Sequence, residues 1–261
     1  MVEGEGSNMS KHYVLVHGAG QGRWSWFKTA PLLKSEGHRV TAMDLAASGV
    51  RPESLSDIHT FRDYSKPLLD LLESLPEGET VILVGHSLGG LNVAFAMESF
   101  PEKISAAVFV TGVMPACSVP RSSVLEQFFA TAPPDLFLDT QFSRENNENV
   151  MLLGPECFRL RVAQNCSAED QMLGEMLARP TSVFMEDVSD TPNLSEEKFG
   201  SVRRVFIVCK DDKLLPEEFQ RWMIQNNPPE KVMEIEGADH MPMLCKPIEL
   251  SLCLLKIAGG H

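Results

Sequence analysis

Three short stretches carry side chains that can do chemistry together. Ser87 lies in Gly85-His86-Ser87-Leu88-Gly89, Asp211 and Asp212 are adjacent, and Asp239 precedes His240. A serine hydroxyl is a weak nucleophile at neutral pH and needs a base in hydrogen-bond reach, itself oriented by a carboxylate. Serine, acid and histidine occur here in the chain order found in hydrolases built around a G-x-S-x-G elbow. Of the two aspartates the reading takes Asp212 as the orienting acid, with Asp211 a surface neighbour, and His240 as the base. Charge developing on a carbonyl oxygen also needs prearranged donors. The N–H of Leu88, next after the serine, is one candidate. The N–H of Ala19, in the glycine-rich stretch Gly18-Ala19-Gly20-Gln21-Gly22, is the other. That stretch does not fit G-x-G-x-x-G and no Walker lysine follows it, so a phosphate cradle is disfavoured.

The elements that must position these groups follow from the apolar pattern. Residues 12–18 read as a strand ending in glycine, and residues 23–37 as a helix stopping at Gly37. Strands at 38–44, 80–85, 104–111 and 203–209 and a strand at 231–237 alternate with helices at 61–75, 88–100, 216–226 and 246–258. Near-continuous apolar strands separated by helices imply a parallel sheet covered on both faces. Open sheets of this kind place their sites at the carboxyl ends of the strands, where all three stretches fall. From residue 115 to 190 the alternation stops. That segment reads as a mostly helical cap without convincing strands, dividing the core into residues 11–114 and 191–261. Residues 1–10 read as a frayed tail with neither the basic nor the apolar region of a secretory signal.

Composition narrows the partners. The 261 residues suffice for one large core, and no apolar run reaches the ~18–20 residues that span a bilayer. A formal charge of −13 repels nucleic acid and anionic membrane surfaces. Six cysteines without C-x-x-C spacing point to reduced thiols and a cytoplasmic location, and neither a metal nor an organic cofactor is implied. His12, His38, His59 and His261 read as surface or turn residues, and His86 as a local packing residue. Trp24, Trp26, Phe128, Phe129, Phe137 and Phe142 read as core or pocket lining.

The stretches KHYVLVHGA, PLLKSEGHRVTAMDLAASG, VILVGHSLGG, RPTSVFMED, FGSVRRVFIVCKDDKLLPEEFQRW and GADHMPMLCKP resemble the plant methyl esterase branch of the α/β-hydrolase superfamily, over nearly the whole chain. That branch contains salicylate and alkaloid methyl esterases and hydroxynitrile lyases. The resemblance implies an α/β-hydrolase fold with a mainly helical cap inserted after the strand ending near Thr111. It places Ser87, Asp212 and His240 on the family triad and Ala19 and Leu88 on the oxyanion donors. Gly18, His86, Val113, Phe128, Phe137 and Met241 fall around the substrate, a small-molecule ester, and the resemblance admits a homodimer. IHTFRDYSKPL looks most like the alkaloid-processing members, which makes a monoterpene indole alkaloid methyl ester the first substrate expected. The acid product would lose CO2 if it carries a β-carbonyl. Methyl salicylate or methyl jasmonate type esters come second. Arg23, Gly112, Val113 and Phe137 depart from the pattern of the salicylate-type members, and the smaller of them suggest a widened pocket. Ala19 and Met241 stand where related lyases have threonine and lysine, against cyanohydrin cleavage. A receptor role or a cyclase-like rearrangement in the same pocket remains open at this point.

Overall fold

The structure, a computed structural model, describes residues 10–117, 119–145 and 148–259. The expected tail, apart from residue 10, lies outside the described residues, as does His261. The chain runs β1 (His12–Val16), α1 (Thr29–Ser35), β2 (Arg39–Met43), α2 (Phe61–Glu73), β3 (Val81–His86), α3 (Gly89–Ser99) and β4 (Ile104–Val110). An insertion follows, with α4 (Ser123–Thr131), β5 (Gln141–Glu145), β6 (Glu148–Leu152), α5 (Pro155–Cys157), α6 (Ala168–Leu177), β7 (Thr181–Ser182) and α7 (Met185–Asp190). The chain ends with β8 (Arg204–Cys209), α8 (Glu217–Asn226), β9 (Lys231–Ile235), α9 (Pro242–Cys245) and α10 (Pro247–Ala258). Six strands form one sheet in the order β2-β1-β3-β4-β8-β9, every pair parallel.

Successive strand side chains point to opposite faces, and here both faces are dry. Val14 and Val16 of β1, Leu83 of β3 and Phe206 and Val208 of β8 join one core with α2, α3 and α8. Tyr13, Leu15, Val84, Val205 and Ile207 join the other with α1 and α10. This explains why the strands read as unbroken apolar runs. The helix expected over 23–37 is divided into a 3-10 turn (Arg23–Trp26) and α1. Pro31 has no N–H to give to residue 27, so a single helix would lose that bond. Starting α1 at Thr29 puts Pro31 in the first turn, where no such bond is needed.

The insertion is mainly helical, but β5, β6 and β7 also form a three-stranded antiparallel sheet that the sequence pattern does not reveal. Residues 141–144 of β5 are all exposed, and β7 is two residues long, so neither shows alternating hydrophobicity. His12 and His38, expected at the surface, are buried. His12 meets Thr41 Oγ1 at 2.9 Å and Glu79 Oε1 at 3.3 Å, and His38 Nδ1 accepts the Lys11 N–H. These partners hold both His12 ring nitrogens and the His38 Nδ1 at strand ends that a sequence reads as turns. Among the described residues no helix is long and apolar enough to cross a membrane.

Candidate active site

β3 ends at His86 and α3 starts at Gly89, so Ser87 and Leu88 make the turn between them. Ser87 sits at φ +52°, a left-handed conformation that costs a non-glycine residue roughly 1–2 kcal/mol. Its carbonyl holds the turn by accepting the N–H groups of Gly90 (2.9 Å) and Val113 (2.8 Å). The flanking glycines are required by close approach. A Cβ on Gly89 would overlap the His17 carbonyl oxygen, and one on Gly85 would lie 2.7 Å from the Gly89 carbonyl oxygen.

His240 Nδ1 donates to Asp212 Oδ2 at 2.6 Å, and both side chains are buried. The same Oδ2 accepts the Thr111 hydroxyl at 2.6 Å, while Oδ1 accepts the N–H groups of Leu214 (2.9 Å) and Leu215 (2.8 Å). A carboxylate held by four donors cannot swing away, and with Nδ1 carrying the proton the free Nε2 is a base. Asp211 is exposed and takes no part in this contact. Thr111, at φ +36°, is a β-branched residue in strained backbone just past β4; nothing in the sequence marks it beyond that position. Asp239, the other acid beside His240, is buried and ties loops together. Its oxygens accept the N–H groups of Met241 and Asn165, both at 2.8 Å, and the thiols of Cys245 (3.0 Å) and Cys166 (3.5 Å). Contact with Cys245, then burial and the Asp239 charge, push the Cys166 thiol far above its ordinary pKa. Gln164 and Asn165 reach further, to the Asp211 carbonyl (2.6 Å) and the Gly237 carbonyl (3.2 Å).

Ala19 and Leu88 line the same cavity as Ser87 and His240. Among the described residues no backbone acceptor takes the N–H of either one. The peptide bearing the Ala19 N–H is aimed by His17, for which the sequence reading assigns no role. Buried His17 donates Nδ1–H to the Gly18 carbonyl at 2.8 Å and accepts the Leu45 N–H on Nε2 at 3.1 Å. In a trans peptide, fixing the carbonyl fixes the N–H on the opposite side.

The cavity has a volume of about 60 Å³ and is walled by Val113, Phe128, Phe129, Phe137, Met151 and Leu215. Gly18, His86 and Met241 are not among its walls. His86 is fully buried behind the site, its Nε2 donating to the His240 carbonyl at 2.6 Å and its ring 4.8 Å from that of His240. Met241 is buried too, its sulfur accepting from Gln21 Nε2, and the space over Gly18 is taken by His86 and Ser87. Each neighbours a site residue in sequence yet faces the core. Arg23 is exposed and pairs with Asp44, away from the cavity.

His17 and His86 are buried away from any compensating anion at contact distance. Burial lowers the pKa of both, and for His86 the neighbouring His240 lowers it further. The unfolded chain takes up protons on these rings near pH 6.5 and the folded chain takes them up less readily, so folded stability is lost as pH falls below that value. The free energy of unfolding is therefore expected to fall from pH 7 to 5, by at most about 1.4 kcal/mol per pH unit for each of the two rings, and the thermal midpoint to fall with it. A midpoint flat across that window would mean that both protonate as freely folded as unfolded.

A parallel sheet with a strained serine elbow, an acid after β8 and a histidine after β9 defines a class. The family model described as "alpha/beta hydrolase fold" matches residues 11–247, and the chain belongs to that family. Within it the chain stands with the plant methyl esterases. It is 52% identical over 252 residues to Methylesterase 1 of Arabidopsis thaliana, covering 95% of this chain and 96% of that protein. It is 46% identical over 258 residues to polyneuridine aldehyde esterase of Rauvolfia serpentina, covering 97% and 98%. The crystal structure of polyneuridine aldehyde esterase superposes with a TM-score of 0.94 at 46% identity, covering 96% of this chain and all of that one.

Proposed function

We propose that the chain is a serine carboxylesterase that cleaves a methyl ester of a plant specialised metabolite through an acyl-enzyme. The observation that carries this reading is the 2.6 Å contact of His240 with Asp212, on a histidine that shares one apolar cavity with Ser87. In this reading Ser87 Oγ adds to the ester carbonyl as His240 Nε2 takes its proton. The oxyanion meets the N–H groups of Ala19 and Leu88. His240 returns the proton to the departing methanol, and water then releases the acid by the same steps. Asp212 holds the tautomer and supports the imidazolium.

The walls favour a slim, apolar acyl group. Phe129 stacks on Phe137 at 6.0 Å and Phe128 meets Phe137 edge-on at 6.3 Å, which closes the space that smaller side chains at 113 and 137 would open. The resulting 60 Å³ is less than half the roughly 150 Å³ apolar cavity that accommodates benzene. A planar ring or chain entering end-on needs a small adjustment of these rings, while a polycyclic ester needs a larger one that moves Phe129 and Met151 toward the adjoining cavity of about 260 Å³ whose walls they share. Small hormone-type esters therefore rank ahead of the alkaloid ester. The alkaloid ester stays as the second reading on the 46% identity to polyneuridine aldehyde esterase.

The test is mass spectrometry of the purified protein with methyl salicylate, methyl jasmonate and a β-formyl indole alkaloid methyl ester. Loss of CH2 from one of the first two is expected, with the alkaloid slower. Loss of the whole carboxymethyl unit from the alkaloid at a faster rate would reverse the ranking. An alkaloid rearranged with its ester intact, or no turnover at all, would overturn the esterase reading.

A further inference from the structure

We infer that Arg179, a cap residue outside the cavity, is a positioning residue that holds the loop carrying the Ala19 oxyanion donor. Its backbone N–H donates to the Gly20 carbonyl at 2.9 Å. Its guanidinium donates to three carbonyls of a second loop: Gly49 (3.2 Å) and Arg51 (2.6 Å) from one nitrogen, Glu53 (3.0 Å) from the other. That second loop returns to the first, because the Gly49 N–H donates to the Gln21 carbonyl at 3.2 Å. Arg179 therefore holds the Ala19 loop twice, directly at Gly20 and through the loop its side chain gathers at Gln21.

The loop needs such support. Gly20 lies at φ +68° and has no Cβ to restrict it, so its conformation is set by what it is bonded to. A Cβ on Gly20 would lie only 3.0 Å from the Arg179 carbonyl oxygen, so the cap segment before β7 lies directly against the loop. On the inner side the Gly18 carbonyl is fixed by His17, and on the outer side the Gly20 and Gln21 carbonyls are fixed by the N–H groups of Arg179 and Gly49. Ala19 lies between the two clamps. An arginine suits the outer one, since its planar fork of donors can serve several carbonyls at once, whereas a lysine ammonium is a point donor on a flexible stem.

The effect expected is on the step in which the oxyanion forms. Losing one oxyanion donor costs about 100- to 1,000-fold in kcat, and a misplacement of about 1 Å costs on the order of 100-fold. Arg179→Ala keeps the backbone bond to Gly20 and loses the guanidinium bonds that gather the Gly49–Glu53 loop against Gln21, so a fall in kcat of about 10- to 100-fold with KM within about threefold is expected. A trifluoromethyl ketone reads the oxyanion site separately. Ser87 Oγ bonds to its carbonyl carbon, the carbonyl π pair becomes an oxyanion, and the hydroxyl proton passes to His240. Its affinity should fall in parallel with kcat/KM, while binding of the carboxylic acid product stays unchanged. Guanidinium chloride at tens of millimolar should restore part of the lost kcat. Arg179→Lys, which keeps stem and charge, is the second variant should the alanine variant not fold; the same split at about 3- to 10-fold is expected.

The inference rests on the esterase reading, which is tested separately by whether wild-type turnover disappears in Ser87→Ala. On that background, an Arg179 variant with wild-type kcat would overturn the inference and leave the esterase reading standing. So would a loss shared equally by analogue and product, or one that follows the melting midpoint and is not restored by guanidinium.

Discussion

Ser87→Ala is expected to lower kcat on the best methyl ester by about four to six orders of magnitude, with substrate binding retained. Removing the nucleophile leaves only the oxyanion donors and the positioning of substrate, which by themselves give a residual acceleration of about 10³ to 10⁴ over water. The substitution is mild for the fold. Ser87 fixes the turn through its backbone carbonyl, which Gly90 and Val113 bond whatever the side chain. Alanine also keeps a Cβ at φ +52°, so the elbow carries the same strain as before. The measurement is single-turnover hydrolysis alongside the thermal midpoint. A variant that hydrolyses at more than a hundredth of the wild-type rate with an unchanged midpoint would sink the acyl-enzyme mechanism.

Asp212→Asn is expected to cost about 10⁴-fold in kcat, for a different reason. The carboxylate is an acceptor for four donors: His240, Thr111, Leu214 and Leu215. An amide has one acceptor oxygen and an NH2 group that donates. If the oxygen keeps the two loop N–H groups, the NH2 faces His240 Nδ1 and forces the ring into the tautomer with its proton on Nε2, which cannot act as a base. The Thr111 hydroxyl can turn to accept from the same NH2, so the fold should lose less than the chemistry does. Stopped-flow rates on the wild type and the variant check this. A loss below tenfold would mean that the tautomer is set elsewhere.

The elbow was legible because its requirements are local: a strand, two small residues and a helix within a few positions. The loop holding Asp211 and Asp212 was legible from strand order, but the preference for Asp212 came with the family resemblance; the structure buries Asp212 and leaves Asp211 exposed. What lay hidden depends on distant contacts. Thr111 meets Asp212 across 101 positions, and Arg179 meets Gly49 across 130. No window of sequence contains both partners. The cap sheet was hidden because residues 141–144 of β5 are all exposed, and a pattern of burial cannot be read along a stretch where nothing is buried. Gly18, His86 and Met241, which the resemblance puts around the substrate, do not line the cavity. At a tight turn, adjacent residues face opposite ways, so the neighbours of a site residue are as apt to pack behind the site as to line it.

The cap tripeptide Gln164-Asn165-Cys166 is bonded to Asp211, Gly237 and Asp239, on the loops that carry the candidate acid and base. The cap is consequently not an interchangeable module. Grafting a whole cap from a relative replaces the fittings that hold the loops beneath it, so a chimera would trade away rate while seeking a new substrate. Phe129 and Phe137 face the cavity from outside that tripeptide. Single changes there offer a route by which substrate range can drift in a lineage, or be redesigned, while the apparatus under the cap is inherited intact.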